Sequence, residues 1–138
     1  FYKHGTVKPT NYDIISPPDP LSNLRTIVFH KKKNELPIEA EFRMRCEDVQ
    51  RWNQEFWTKH NLSFLKERKN YIKDVTGSDK QTLSADEMSV FYKRFLDENW
   101  NIHLQYNMNW YRKNIDLVVL ALKVKIARLK NYFMSKSM

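Results

Sequence analysis

The residues with the most chemistry to offer lie between His103 and Trp110. His103, Tyr106, Asn107 and Trp110 recur at steps of three and four, which puts an imidazole, a phenol, an amide and an indole on one helical face. Such a face could take a flat apolar ligand such as haem, with His103 as axial ligand and Tyr106 and Trp110 beside it. A bundle core with hydrogen-bonded polar tips would show the same pattern. Other chemistries are poorly supplied. His4, His30, His60 and His103 stand in no His-Glu-x-x-His or His-x-x-x-His spacing, so no metal site is expected. There is no Gly-x-Ser-x-Gly elbow and no phosphate loop. Cys46, the single cysteine, lies on an apolar helical face and reads as a small buried hydrophobe rather than a nucleophile. The acidic pairs Glu47-Asp48, Asp86-Glu87 and Asp97-Glu98 diverge by about 100° on a helix and cannot share a substrate. No catalytic residues are expected, and the chain reads as a non-enzyme.

A second feature is electrostatic. The chain carries 24 Lys+Arg against 16 Asp+Glu, a formal charge of +8. Residues 99–138 hold most of the excess: Arg112, Lys113, Lys123, Lys125, Arg128, Lys130 and Lys136 against Asp116 alone. In the same segment Ile115, Val118, Val119, Leu122, Ile126, Leu129 and Phe133 form an apolar stripe at helical spacing. A basic amphipathic helix can lie in a membrane interface with its cations on anionic headgroups. Arg112, Lys113, Lys123, Lys125, Arg128 and Lys130 are the candidate membrane- or partner-binding residues. An ordinary bundle helix with a solvated basic side fits the periodicity equally well. Aromatic and basic residues together could also stack on single-stranded RNA, but no glycine-bearing RNA-binding signature is present, so nucleic acid is disfavoured as a partner.

The elements that must position these residues are mostly helices. Only Gly5 and Gly77 occur, far below the usual share of about 7%, which disfavours glycine-dependent hairpins and nucleotide-binding turns. All five prolines fall within residues 1–37, and Pro17-Pro18-Asp19-Pro20 stiffens an extended strap. Within the strap, Thr26–Phe29 could pair as one short strand or lie on the helices. A first helix starts near Pro37 and runs to about Lys59, with a turn at His60–Ser63 and a shorter second helix to about Lys73. Ser84 and Glu87 form a capping box that opens the next helix. A break is expected near Asn99–Asn101, because one helix from 85 to 133 would be roughly 73 Å long. The last helix runs to about Phe133.

The expected fold class is therefore all-α. It is a small bundle of three to four helices with a Pro-rich extended strap over residues 1–36, a helical domain over 37–134 and a disordered tail over 135–138. The longest apolar run, Leu117–Leu122, is too short to cross a bilayer. The chain begins at Phe1 rather than Met, which is consistent with a leader that has been removed or left out.

Four blocks carry a family likeness. They are Pro17-Pro18-Asp19-Pro20-Leu21-Ser22-Asn23-Leu24-Arg25, Trp52-Asn53-Gln54-Glu55-Phe56-Trp57, the stretch from Leu83 to Leu96, and Tyr106-Asn107-Met108-Asn109-Trp110-Tyr111-Arg112-Lys113-Asn114. In this order they resemble the cytochrome c oxidase assembly factor 8 family, also called apoptogenic protein 1. Thr26 departs from the pattern, which leads one to expect proline there. The resemblance implies an imported mitochondrial protein, peripheral on the matrix side of the inner membrane. It implies a role in cytochrome c oxidase (complex IV) biogenesis and its protection from oxidative damage, with a link to apoptosis. The implied partners are assembling oxidase subunits, and the anionic lipid of the inner membrane agrees with the basic last helix. The resemblance brings no catalytic residues. A haem carrier acting on the oxidase and a basic RNA- or mitoribosome-associated matrix protein remain as alternatives. The Pro-Pro-Asp-Pro strap and the Trp-Asn-Gln-Glu-Phe-Trp block read as fold-defining, with Asn53 and Gln54 expected to bond strap backbone.

Overall fold

The computed structural model describes residues 11–77 and 82–137. The strap's first ten residues and Met138 lie outside them. The element order is β1 (Ile14–Ile15), β2 (Ile27–Val28), α1 (Pro37–Thr76), α2 (Ala85–Glu98) and α3 (Trp100–Lys136). The all-α expectation holds, with one small addition. The two short strands pair antiparallel, Ile14 opposite Val28 and Ile15 opposite Ile27.

The strap is held in shape by its own polar groups. Asp19 Oδ1 accepts the amides of Leu21 and Ser22 at 2.9 and 2.8 Å. Those backbone donors hold its carboxyl below the usual range. Asn23 then takes the left-handed conformation, φ 61°, that its short polar side chain tolerates. Thr26, where proline was expected, uses what proline lacks. Its amide donates to Ser16 Oγ at 2.9 Å, and the two hydroxyls lie 2.8 Å apart.

α1 is one helix of 40 residues, not the two expected. Pro37 occupies its first turn and Glu39 accepts the Leu36 amide at 2.9 Å. The expected turn at His60–Ser63 contains no glycine or proline. Its poor helix formers find partners for their side chains: Asn61 Nδ2 donates to the strap carbonyl Leu21 O at 2.8 Å, and Ser63 Oγ donates to Glu67 Oε1 of α1 at 3.0 Å. Gly77 ends α1 at φ 67°, its amide donating to Lys73 O at 2.8 Å.

α2 opens with the expected capping box. Ser84 Oγ accepts the Glu87 amide at 3.3 Å, and Glu87 Oε2 accepts the Ser84 amide at 2.8 Å. The expected break falls on Asn99 (φ −96°, ψ 6°), whose amide and side-chain Nδ2 both bond Phe95 O. α3 continues two residues beyond the expected boundary, through Ser135 and Lys136. Nothing in that last turn breaks the helix, and Ser137 closes it onto Met134 O at 3.3 Å.

α2 and α3 lie one after the other along α1, running opposite to it. Tyr71 meets Phe91, Phe64 meets Phe95, His60 meets His103, Trp57 meets Tyr106, and Glu39 meets Arg128. A helical hairpin of this kind has a thin core. Among the described residues only two hydrophobic side chains are buried, Phe91 at 0% and Phe95 at 3% exposure. The rest of the core is a file of half-buried rings from Trp52 to Tyr71. Its tightest contact is Phe56 on Tyr106, with centroids 4.2 Å apart.

Candidate functional site

The aromatic face of α3 is turned inward, onto α1. Tyr106 is stacked on Trp52 at 5.3 Å and on Phe56 at 4.2 Å. Its hydroxyl accepts from Trp57 Nε1 at 2.9 Å and donates to Asn53 Oδ1 at 2.5 Å. That fixes two polar tips of the Trp-Asn-Gln-Glu-Phe-Trp block, Trp57 and Asn53, while Gln54 Oε1 is buried without a partner. His103 Nε2 lies 3.0 Å from His60 Nε2. Burial, then the neighbouring His103, hold the His60 imidazole below its ordinary range.

A haem on His103 does not fit this arrangement. Its Nε2 faces His60 rather than open space, and Tyr106 is enclosed between two rings. The cleft nearest to that face, about 280 Å³ between the strap, α1 and α3, is lined by Trp110 but by neither His103 nor Tyr106. Cys46 lines the same cleft, and burial pushes its thiol up, away from the reactive thiolate.

Residues 50 and 60 were not singled out by their local sequence. Gln50, rather than Asn53 or Gln54, ties the strap to α1: Oε1 accepts the Ile27 amide at 2.7 Å and Nε2 donates to Ile27 O at 3.0 Å. A glutamine gives no such signal until the strap is placed over it.

The basic residues of α3 divide. Arg128 is part of the fold: its Nη2 and Nε donate to the two oxygens of Glu39 at 2.6 and 2.8 Å. Lys113 sits over the Trp52 ring, 5.1 Å from its centroid. Arg112, Lys123, Lys125 and Lys130 are exposed, and no salt bridge engages them among the described residues.

The apolar stripe points the opposite way from the aromatic face. Leu117, Leu120, Ala121, Val124 and Ala127 are the half-buried apolar positions of α3's second half. The stripe of Ile115, Val118, Val119, Leu122, Ile126, Leu129 and Phe133 faces outward. It continues upstream through Tyr111, Met108 and Leu104 to Trp100. With Val118 and Val119 sharing one step, the band has ten positions three or four apart from Trp100 to Phe133, and its eleven residues are each between 46% and 69% exposed. At about 1.5 Å per residue they make an uncovered apolar band about 50 Å long. Its flanks differ along its length. Asn101, Gln105, Asn107 and Asn109 flank the first part, and Arg112, Lys123, Lys125 and Lys130 flank the second. The bundle-helix reading therefore accounts for only the inner half of α3.

The model of the family described as cytochrome c oxidase assembly factor 8 matches residues 12–130. The chain belongs to the cytochrome c oxidase assembly factor 8 family. A relative from Drosophila melanogaster, a family protein named as mitochondrial, is 44% identical over 122 residues, covering 88% of this chain and 69% of its own. Cytochrome c oxidase assembly factor 8 of Bos taurus is 37% identical, covering 88% of this chain and 69% of its own. The mitochondrial family protein of Caenorhabditis elegans is 34% identical over 85% of this chain and 84% of its own. No solved structure matches the chain. Each of the four family blocks has a place in this fold: the strap turn, the α1 half of the aromatic file, the α2 capping box and helix, and the α3 segment that stacks on α1. Among the described residues no three histidine, cysteine or acidic side chains cluster as a metal site would need.

Proposed function

We propose that this member of the cytochrome c oxidase assembly factor 8 family is a non-enzymatic mitochondrial factor in oxidase biogenesis. It works from the matrix face of the inner membrane, seated there by the outer face of α3. The observation that carries the seat is the uncovered apolar band from Trp100 to Phe133.

Three features support a flat lipid surface as what covers it. No helix among the described residues is long and apolar enough to cross a membrane, so the band is not a spanning segment. Its residues are spaced about 3.7 apart on average. That keeps the band nearly straight along one side of a helix of 3.6 residues per turn, unlike the 3.5-residue repeat of a left-handed coiled coil. Finally, Lys123, Lys125 and Lys130 lie beside the band where they reach anionic headgroups, each such lysine contributing about 1 kcal/mol near a charged leaflet. Arg128, a candidate on sequence grounds, is occupied by Glu39 and is not part of the seat.

The client is an assembling oxidase subunit, as the relatives' names and the resemblance suggest. The oxidative-stress and apoptotic roles rest on the resemblance alone. The test is a reduced-minus-oxidised spectrum of mitochondria lacking the protein. The expected result is selective loss of the haem a band, restored by the wild-type chain and not by Val118→Glu/Leu122→Glu. A normal haem a band without the protein would overturn the assembly role. Full restoration by the double variant would overturn the seat.

A further inference from the structure

The cleft between the strap, α1 and α3 is separate from the membrane seat, because its α3 wall, Trp110, Asn114 and Leu117, lies off the outer band. Its volume is about 280 Å³. That is just under the range of about 300–1,000 Å³ that holds drug-sized ligands, and it suits a group the size of one residue. None of its eleven lining residues is acidic, and Arg25 is the one arginine or lysine among them.

Arg25 differs from the arginines of the neighbouring contacts. Arg43 is held by Glu35, and Arg128 by Glu39. No salt bridge engages Arg25 among the described residues. Trp110 accepts from Asn114 Nδ2 through its carbonyl, while its indole N–H meets no acceptor among the described residues. Phe29, Val49 and Leu117 give the cleft an apolar side. A free guanidinium, a free indole N–H and an apolar wall therefore meet in one acid-free cleft.

We propose that this cleft binds the C-terminal residue of a partner polypeptide, one with an apolar side chain and a free carboxylate. The carboxylate meets Arg25, whose planar fork matches it with two parallel hydrogen bonds. Trp110 supplies a further donor, and the apolar side chain packs on Phe29, Val49 and Leu117. Two exclusions narrow the ligand to this class. A free amino acid would bring an ammonium group, and no carboxylate lines the cleft to receive it. A phosphate monoester would bring close to two negative charges against a single arginine. The amide nitrogen of a terminal residue carries no charge and offers an N–H. Gln54 Oε1, on the cleft wall, has no donor, and turning that side chain toward the cleft would let it accept this N–H.

The test is an NMR titration of the full chain, read at the Trp110 indole N–H. The probes are acetyl-Ala-Ala-Leu with a free carboxylate, the same peptide as its C-terminal amide, free leucine, and 4-methylpentanoate, which has the side chain and carboxylate without the amide. The free-carboxylate peptide should bind saturably in the sub-millimolar range. Each of the other three should bind at least tenfold more weakly. Arg25→Gln should weaken the peptide at least tenfold, and Arg25→Lys should restore only part of the loss, since it keeps the charge and not the fork. Circular dichroism and thermal melts should match wild type for both variants, because Arg25 holds no ion pair of the fold. No saturable binding, equal binding of the amidated peptide, or wild-type binding by Arg25→Gln would overturn the proposal. Equal binding of 4-methylpentanoate would overturn a polypeptide as the source of the carboxylate.

Discussion

Arg128 and Glu39, 89 residues apart in sequence, meet through two parallel hydrogen bonds of 2.8 and 2.6 Å. Glu39 is one of the two buried polar side chains among the described residues, and it also accepts the Leu36 amide that opens α1. One carboxylate thus caps the first helix and fastens the second half of the last one. The contact holds the inner face of α3 to α1 and leaves the outer face open.

This pair makes stability depend on acid. The Arg128 guanidinium above all holds the Glu39 carboxyl down to about 2, from an ordinary value of 4.5. A depressed carboxylate pKa contributes stability that is complete above about 4.5 and fades as pH falls toward about 2. Glu39→Gln should lower Tm by roughly 5 °C at neutral pH. The gap between wild type and variant should stay constant from pH 7 to 5 and close below that. Thermal melts across this range check it; a gap that widens in acid would contradict the ion pair.

The Tyr106 hydroxyl serves both Trp57 and Asn53 across the helical hairpin. Tyr106→Phe leaves those two groups unpaired in a half-buried site. It should cost about 1–2 kcal/mol in urea unfolding with no change in helical content. Tyr106→Ala also removes the ring stacked on Trp52 and Phe56 and should cost about 3–5 kcal/mol.

Gln50 holds the strap through both hydrogen-bonding positions of Ile27. Gln50→Ala should free the strap without melting the helices. Limited proteolysis within residues 11–36 should speed up about tenfold, a loss of roughly 1.4 kcal/mol of local stability. Cleavage at an unchanged rate would place the strap's anchorage elsewhere, at the Asn61–Leu21 hydrogen bond or the Arg43–Glu35 pair.

Much of this fold could be read from local chemistry. Pro37, the Ser84–Glu87 box and Asn99 mark helix boundaries, and the structure has them there; α1 runs past the expected end near Lys73 to Thr76, where Gly77 stops it. The turn at His60–Ser63 was misread because Asn61 and Ser63 are poor helix formers alone, and only the strap carbonyl of Leu21 and the Glu67 carboxylate satisfy them inside a helix. The α3 periodicity showed that an apolar stripe exists but not which way it faces. The helix is apolar on two sides, and alanines and leucines at 117–127 take the inner one. Arg128 looked like its lysine neighbours in sequence; only the fold brings Glu39 to it. The same holds for His60 and His103, whose meeting depends on two helices running antiparallel.

The most direct test of the central claim is co-sedimentation of the purified chain with phosphatidylcholine vesicles, with and without cardiolipin. Wild type should bind the cardiolipin vesicles. Lys123→Gln/Lys125→Gln/Lys130→Gln should weaken binding on the order of 100-fold at low salt. Val118→Glu/Leu122→Glu should abolish it while helical content stays unchanged, since both positions point away from α1. Wild-type-like binding by the Val118→Glu/Leu122→Glu chain would contradict the assignment of this face to the membrane.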